Sequence, residues 1–527
     1  MKFNGKTLAL PPIKGLGALL LPLILVSLAC SGSLAAPTPG IGAPPTIVWS
    51  TNTPGPMSEP VNDSLAPTDT PVPPTPTSPP TVTLPPGAVD TAPYLYYTLA
   101  GDTLQSLSLR FSVLPEEITS TDPIPPTGFI NPNQLLVIPR RLYNTSLADR
   151  LIPDSEIVYG PSAIEFNILA YVNYGNGFLN TYSEYLGTTG QTSGDRVVSR
   201  VALENSVNPR LLIALLEYQG GWVFGTPGEN KLEYPMGNVD PAKKGLFQQL
   251  TWASDQLGIG YYGWREGTLT EITFSDGVTV RLAPDLNAGT VAVMYFFAQL
   301  NDSTSWIQAM NPETGFPALY TQLYGNPWLM AASVEPLYPP TLTQPQMILP
   351  FAVEQIWAYS GGPHGAWTRL GARAAIDFAP ANTESGCVPS QNWVVAAAPG
   401  LVVRSEKGVL VLDMDGDGFE QTGWVLAYLH IATESKIPVG SWVVQGQFLG
   451  FPSCEGGFST GTHIHIARKY NGEWMLAGGP LPFNLSGWVA GAGEKPYEGT
   501  LARDGVLITA NPFGTADTNI IRTKDEP

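Results

Sequence analysis

The sequence predicts a multidomain α+β protein in which a small βααβ module, an α-helical domain and an antiparallel β-sheet domain follow one another. Its 527 residues are enough for about three or four domains of roughly 150 residues each. Long apolar runs in the middle of the chain are typical of buried helices, whereas after Leu349 short apolar runs alternate with glycine and polar turns, as in β-sheets. The 55 Gly and 52 Pro exclude one compact helical domain, and the 43% of hydrophobic residues exclude a wholly disordered chain.

The charge of the chain argues against a nucleic-acid-binding protein. There are 26 Lys and Arg against 44 Asp and Glu, which gives a formal net charge of −18. Binding to a phosphate backbone requires clustered cationic side chains, and only 13% of the residues are charged at all. No nucleic-acid partner is therefore expected.

Residues 1–30 are typical of an export signal. Basic residues, of which Lys14 is the last, precede an apolar run from Leu16 to Ala29. Pro22 interrupts this run, which is also short for a membrane-spanning helix. The segment resembles a bacterial lipoprotein signal, and that resemblance implies cleavage before Cys30 and lipidation of this residue. We expect an extracytoplasmic protein, either anchored to the cell membrane by the lipid or released to the cell wall.

Residues 31–90 are predicted to be a disordered linker. Proline, threonine and serine dominate this stretch, and it has no apolar periodicity from which a packed core could form. Such a segment would hold the following domains away from a membrane surface.

Residues 91–141 predict a strand, a tight turn, an amphipathic helix from Thr103, a second helix and a closing strand. The motifs that carry this prediction are Gly101-Asp102-Thr103-Leu104 and Gln134-Leu135-Leu136-Val137-Ile138-Pro139. Asp102 is placed to cap the first helix. The segment resembles a LysM module, which implies binding of glycans that contain N-acetylglucosamine. The alternative is that the turn residues are structural and that glycan binding has been lost.

Residues 145–335 predict a helical domain with one conspicuous carboxylate. Asn208 and Pro209 suit the N-cap and the first turn of an apolar helix that ends near Glu217. An acid at the end of a buried helix, beside an aromatic-lined opening, is suited to protonating a glycosidic oxygen. The order of motifs resembles the lytic transglycosylase branch of the lysozyme-like fold, which implies Glu217 as a single acid and base. The alternative is that Glu217 merely ends a helix in a structural or substrate-binding domain.

All four histidines of the chain lie in residues 345–490, which predicts one metal site rather than scattered core histidines. In His463-Ile464-His465 the two imidazoles lie on one face of a strand because side chains alternate with period two. His364 and Asp377 are the candidates for further ligands. Two histidines and one carboxylate leave a fourth tetrahedral position open for water, as in a catalytic zinc site.

This domain resembles the lysostaphin-type and β-lytic zinc metallopeptidases, which cut peptides of the bacterial cell wall. The motifs are Gly361-Gly362-Pro363-His364 and Ser459-Thr460-Gly461-Thr462-His463-Ile464-His465. Arg373 stands where the commoner His-x-x-x-Asp pattern would have its histidine. The resemblance implies one zinc ion held by His364, Asp377 and His465. It assigns His430 and His463 as the general base and the donor to the oxyanion. The alternative is a non-catalytic relative.

Two further features of the C-terminal half complete the predictions. Cys387 and Cys454 lie in one domain of an exported protein, which predicts a disulfide bond between them. The acidic run that contains Asp413, Asp415 and Asp417 is expected to form a plain hairpin turn, with a calcium site as the alternative. Residues 491–527 form a C-terminal tail with no recognisable motif, and its Lys/Asp/Glu-rich end is predicted to be loose.

Together these features predict an exported peptidoglycan hydrolase. The zinc endopeptidase would cut the peptide cross-links, the LysM-like module would bind the glycan, and the helical domain would cut or bind the sugar strand. The membrane is a partner only through the lipid on Cys30. The alternative from a different class is a wall-binding scaffold lipoprotein that activates other hydrolases without cutting.

Overall fold

The computed structural model describes residues 91–381 and 386–525. The predicted signal peptide, the lipidation site at Cys30 and the proline-rich linker lie outside the described residues. No helix within the described ranges is long and apolar enough to cross a membrane.

The chain changes from mainly helical to mainly β-sheet structure near residue 350. The α-helices of the described residues are α1 (Leu104–Phe111), α2 (Ile168–Gly175), α3 (Phe178–Thr181), α4 (Gly194–Asn205), α5 (Pro209–Gly220), α6 (Glu229–Glu233), α7 (Leu246–Glu266), α8 (Ala288–Ala298), α9 (Ser303–Ala309), α10 (Phe316–Tyr324) and α11 (Pro327–Ala331). The β-strands are β1 (Tyr94–Tyr97), β2 (Leu135–Ile138), β3 (Ser183–Leu186), β4 (Gly190–Ser193), β5 (Glu271–Thr273), β6 (Thr279–Arg281), β7 (Ile356–His364), β8 (Ala375–Pro380), β9 (Val394–Val395), β10 (Gly400–Glu406), β11 (Val409–Asp413), β12 (Trp424–Leu429), β13 (Trp442–Val443), β14 (Phe448–Gly450), β15 (Ile464–Tyr470), β16 (Glu473–Trp474), β17 (Asn484–Leu485), β18 (Trp488–Ala492), β19 (Gly499–Arg503), β20 (Val506–Thr509) and β21 (Asn519–Ile521).

The N-terminal module contains a two-stranded antiparallel sheet, β1 with β2, and one α-helix. The predicted second helix is wrong, since only a short 3-10 turn, Pro115–Glu117, lies between α1 and β2. Prolines at 115, 123, 125, 126 and 132 account for the difference, because proline removes a backbone donor and restricts the residue before it.

Asp102 has a different role from the predicted helix cap. The N-cap of α1 is Thr103, whose hydroxyl accepts from the backbone N–H of Ser106 at 3.0 Å. Asp102 is buried and accepts instead from the Tyr96 hydroxyl at 2.7 Å and from Arg110 at 2.5 Å. The carboxylate therefore joins the first strand to the helix.

The central helix of the helical domain, α5, begins at the predicted residues. The Asn208 side chain accepts from the backbone N–H of Arg210 at 3.0 Å, and Pro209 is the first residue of α5. From Pro209 to Leu216 this helix is entirely buried, so its apolar sequence is explained by burial on all sides.

The main sheet of the β-rich half is antiparallel throughout, with the strand order β13-β10-β11-β12-β15-β8-β7-β21. Both of its faces are covered. Val409 and Val411 of β11 pack into the core of the helical domain, whereas Leu410 and Leu412 pack into a second core on the opposite face. This double burial explains why the strand is continuously apolar rather than alternating. The helical domain and the sheet therefore share one continuous apolar core.

Much of the C-terminal segment, residues 491–527, is ordered as β-strands although no motif in the sequence marks it. Strands β17 to β20 form a four-stranded antiparallel sheet, and β21 pairs with β7 at the edge of the main sheet. Leu501, Ile508 and Ile520 are buried in the second core. These residues are too far apart in the sequence to form a recognisable local motif, and long-range pairing orders them.

Arg265 on α7 connects three parts of the chain through buried polar contacts. Its guanidinium lies 3.0 Å from Asp154 of the helical domain and 3.1 Å from Glu473 on β16. It also donates to the backbone carbonyl of Ala100 in the N-terminal module. Glu473 has a second partner on the same helix, since the Tyr261 hydroxyl donates to its carboxylate at 2.8 Å. Such a network requires every partner, since a single charge left buried without compensation is costly.

We expect Arg265→Met to lower the free energy of unfolding by about 3–5 kcal/mol, because it leaves Asp154 and Glu473 buried without their cation. Urea unfolding followed by tryptophan fluorescence measures this change. Lys244→Met is the matched control, since Lys244 is exposed and its one ionic partner among the described residues is Glu233, also at the surface. Equal stability of the Arg265→Met variant and the wild type would contradict the role assigned to Arg265.

Candidate metal centre and active site

Strand register brings the predicted ligands together. In the antiparallel pair of β8 and β15, Asp377 lies directly opposite His465. His364 is the last residue of β7, the strand on the other side of β8, and His430 follows the end of β12 on the other side of β15. Four neighbouring strands thus place these side chains on one patch of the sheet.

Steric crowding explains why both positions 361 and 362 are occupied by glycine. Gly361 pairs with Asp377, and a Cβ atom at Gly361 would lie 2.7 Å from the Asp377 carboxylate. A Cβ at Gly362 would lie 2.5 Å from the backbone of Glu498. The two glycines therefore make room for a ligand on one side and for the C-terminal segment on the other.

Three ligand atoms converge in a buried cluster. His364 Nε2 and His465 Nδ1 are 3.1 Å apart, and Asp377 Oδ1 lies 3.3 Å from the first and 3.2 Å from the second. Zinc bound at 2.0–2.1 Å in tetrahedral geometry separates its ligand atoms by roughly 3.3 Å. The dimensions of the cluster therefore fit zinc.

Backbone carbonyls fix the tautomers of the two histidine ligands. His364 Nδ1 lies 2.8 Å from the Gly362 carbonyl, and His465 Nε2 lies 2.9 Å from the Ala366 carbonyl. A carbonyl only accepts, so these nitrogens carry the hydrogens and each neutral ring presents its other nitrogen as a lone pair. Asp377 Oδ1 is buried and has no hydrogen-bond donor among the described residues. Three acceptor atoms facing one another in this way suit a metal cation between them.

His430 and His463 form a second pair beside the cluster, with ring centroids 4.3 Å apart. His430 Nδ1 lies 2.8 Å from the Glu455 carbonyl, and His463 Nδ1 lies 2.8 Å from the Gly461 carbonyl. Both rings therefore keep Nε2 as the acceptor. Burial, together with the neighbouring His463 and His465, lowers the pKa of His430 to about 3, which keeps this imidazole neutral.

The histidines line an open cleft of about 440 Å³. One of its walls is the loop of residues 456–463, and a disulfide bond between Cys387 and Cys454 is present next to it, as predicted. Thr462 in this loop donates its backbone N–H to the Gly386 carbonyl at 3.0 Å. The cross-link and the hydrogen bond brace the segment that carries His463.

Two structural features of the site were not predicted from the sequence. The Tyr497 ring stacks on the His364 imidazole, with centroids 4.1 Å apart and planes inclined by 19°. Thr368 hydrogen-bonds to Asp255 of α7, so the helical domain holds the loop whose Ala366 carbonyl orients His465. No local motif marks either contact. For the stacking of Tyr497 on His364, the related signal in the sequence is the pair of glycines at 361 and 362, because they permit the C-terminal segment to approach the backbone closely.

Glu217 lies apart from this centre and does not line the histidine cleft. It is the ninth residue of α5, and one of its carboxylate oxygens accepts from the backbone N–H groups of Val223 at 2.8 Å and Phe224 at 3.1 Å. The Phe224 ring lies 6.1 Å from Tyr171 and 6.2 Å from the exposed Tyr174. Glu217 is therefore a loop-stabilising carboxylate beside a cluster of partly exposed aromatic rings.

The acidic run forms the turn of the β11–β12 hairpin. Asp413, Asp415 and Asp417 place carboxylate oxygens within 4.8 Å of one another. Asp413 accepts from the backbone N–H groups of Asp415, Gly416 and Gly418, and Asp417 accepts from Phe419 and the Thr422 hydroxyl. These bonds account for the carboxylates as turn residues, and the calcium alternative gains no support.

Comparisons with known proteins support a peptidase relationship. Residues 150–338 match the family model described as the N-terminal domain of LasA. Protease LasA of Pseudomonas aeruginosa is 27% identical over 356 residues, which cover 63% of this chain and 77% of that protein. The segment matched by the family model is also the one that resembles lytic transglycosylases, and that assignment stays a prediction.

Solved structures of metallopeptidases also resemble parts of the chain. The M23 metalloprotease pseudoalterin is 22% identical, and the alignment covers 34% of this chain and 99% of that one with a TM-score of 0.27. The catalytic domain of lysostaphin from Staphylococcus simulans is 22% identical, over 23% of this chain and 87% of that one, with a TM-score of 0.17.

We expect the purified protein to hold about one zinc ion per chain and His465→Ala to lose most of it, because two ligands bind zinc far less tightly than three. Elemental analysis after gel filtration measures the zinc. His463→Ala is the matched control and is expected to keep the metal, since His463 is not one of the three converging ligands. Full zinc occupancy in the His465→Ala variant would contradict the assignment of this residue.

Proposed function

We propose that the chain is a zinc endopeptidase that hydrolyses peptide bonds of bacterial peptidoglycan. The observation that carries this proposal is the convergence of His364, Asp377 and His465, with His430 and His463 beside them in an open cleft. The similarity to Protease LasA supports peptide hydrolysis. The sequence motifs around His364 and His465 that resemble lysostaphin-type peptidases support the wall peptide as substrate.

The three converging side chains would hold the zinc ion. When bound, zinc supplies Lewis-acid activation of water and of the scissile carbonyl. Asp377 places its second carboxylate oxygen 3.8 Å from His463 Nε2, so this carboxylate lies between the metal ligands and the second histidine pair.

His430 and His463 would move the proton. With Nδ1 bound to a carbonyl, each neutral ring accepts a proton at Nε2, which is the role of a general base toward water. The imidazolium formed then donates from the same atom to the developing oxyanion or to the leaving amine. Because the carbonyls hold the rings in place, neither ring must reorient between the two steps.

We expect His463→Ala and His430→Ala each to lower the release of new amino groups from purified peptidoglycan by at least about a hundredfold, since each removes a proton-transfer group. Reaction of the products with an amine reagent measures the release. The zinc content, determined on the same samples, separates lost chemistry from lost metal.

The same assay decides between the enzyme and a non-catalytic scaffold. Equal release of amino groups by wild type, His463→Ala and a buffer control would refute the peptidase and favour a protein that only binds the wall. Activity that depends on His463 would exclude the scaffold.

We further propose that residues 1–30 export the protein, with Cys30 as a lipidation site, and that residues 91–141 bind glycan. The support for the first proposal is the order of basic, apolar and proline-rich segments in the sequence. The support for the second is the Gly-Asp-Thr-Leu turn at the start of a module with its own small core around Leu107, Phe111 and Leu136.

A glycan-directed activity of the helical domain is the second part of the proposal. Glu217 lies beside the aromatic rings of Tyr171, Tyr174 and Phe224, on which sugar rings could stack. If Glu217 is the acid, Glu217→Gln abolishes the release of reducing ends or anhydro-sugars from purified glycan strands while peptide cleavage continues.

Mass spectrometry of the released sugars measures the effect of Glu217→Gln. Glu229→Gln, an exposed carboxylate in α6, is the matched control and is expected to leave sugar release unchanged. Sugar release that survives Glu217→Gln would remove Glu217 as the acid and leave the helical domain as a structural or substrate-binding part.

A further inference from the structure

A second cavity adjoins the catalytic cleft. It has a volume of about 600 Å³ and lies between α4 of the helical domain and the β10–β11 hairpin of the sheet domain. Trp367, Gly456 and Gly457 line both this groove and the catalytic cleft. A chain bound at the histidines can therefore continue past Trp367 into the groove without leaving the protein surface.

The shared wall is held at a fixed position relative to the catalytic histidines. A Cβ atom at Gly457 would lie 3.6 Å from His430, and one at Gly456 would lie 2.7 Å from the Gly408 carbonyl. Gly408 is the residue after Lys407 at the turn of the β10–β11 hairpin. The hairpin turn, the glycine loop and His430 thus pack directly on one another.

Most of the charged residues deep in the groove already have partners. Arg200 donates to Glu204 at 2.7 Å and lies over the Phe247 ring, 4.8 Å from its centroid. Arg404 donates to Glu420 at 2.9 Å and lies over the Trp367 ring at 5.3 Å. These pairs build a rigid floor with two aromatic surfaces.

Arg196 and Lys407 are different, because both are exposed and neither has an ionic or hydrogen-bonding partner within residues 91–381 and 386–525. They belong to opposite walls, Arg196 to α4 and Lys407 to the hairpin turn. The exposed carboxylate among the lining residues is Glu406, which lies 3.9 Å from Arg404. In a chain with a net charge of −18, this groove is a local site for negative charge.

We propose that the groove is an extended substrate subsite that binds the carboxylate-bearing part of the peptide being cut. Arg196 and Lys407 bind the carboxylates, and Phe247 and Trp367 support the apolar parts of the peptide. This proposal rests on the proposed peptidase function and adds that the helical domain takes part in selecting the substrate. An anionic peptide fits because its charges match the two unpaired cations and because an extended chain can follow the wall that the two cavities share.

The test is charge reversal of both cations in the full-length protein, R196E/K407E. Two synthetic cross-linked wall peptides serve as probes, one with free carboxylates and the same peptide with every carboxylate amidated. We expect kcat/KM for the free-carboxylate peptide to fall at least about tenfold, because like charges then face each other, and kcat/KM for the amidated peptide to change less than about twofold.

The matched control is K244E/K524E, which makes the same change of charge at two exposed cations that line neither cavity. It is expected to leave the ratio of the two kcat/KM values unchanged. Should R196E/K407E fold poorly, R196Q/K407Q removes the charges and is expected to show the same selectivity with a smaller loss. Equal losses on both peptides, or an equal shift of the ratio in the control, overturn the proposal.

A binding measurement separates the groove from the chemistry. Fluorescence anisotropy of the two labelled peptides is measured with His463→Ala protein, with and without R196E/K407E. Tighter binding of the free-carboxylate peptide that disappears on charge reversal supports the groove, even if the wild type cleaves neither peptide and the peptidase function fails. Equal binding of both peptides overturns the groove, even if the wild type cleaves them.

Discussion

The register between β8 and β15 places Asp377 opposite His465, and the candidate site depends on this pairing. Side chains in a strand alternate with period two, so a slip of one residue would turn one of the two ligands to the opposite face of the sheet. Apolar cores on both faces resist such a slip, since Ile464 and Ile466 of the same strand are completely buried. The packing that stabilises the sheet is therefore also what positions the ligands.

Around the ligands, backbone carbonyl groups of loops orient the histidine rings. Each of the four histidines has one ring nitrogen against a carbonyl oxygen, at 2.8 or 2.9 Å. One of these carbonyls belongs to Ala366, in the loop that hydrogen-bonds to α7 through Thr368 and Asp255. The buried network around Arg265 holds the same helix against β16. The helical domain is thus mechanically connected to the geometry of the candidate metal centre and also forms one wall of the adjoining groove.

Much of the site could be predicted because its residues are rare and locally spaced. Four histidines in 527 residues, two of them in His463-Ile464-His465, leave few arrangements that make chemical sense. The disulfide between Cys387 and Cys454 followed in the same way from scarcity. The missing second helix of the N-terminal module could have been foreseen from its prolines, whereas the ordered strands after residue 491 could not, because their partners lie in distant parts of the chain.

The sequence by itself indicated which groups are available for chemistry: two imidazoles and a carboxylate as candidate ligands of a cation, two further imidazoles as candidate proton carriers, and a net negative charge that argues against nucleic acid as a partner. Only the tertiary structure decided which nitrogen of each ring faces the centre, that Tyr497 stacks on His364, and that Arg196 and Lys407 face one groove. The physical reason is that ligand identity resides in single side chains and short spacings, whereas the tautomers depend on the folded backbone of the loops around each ring. The stacking and the shared groove arise from contacts between segments more than a hundred residues apart. Such contacts leave no local pattern in the sequence.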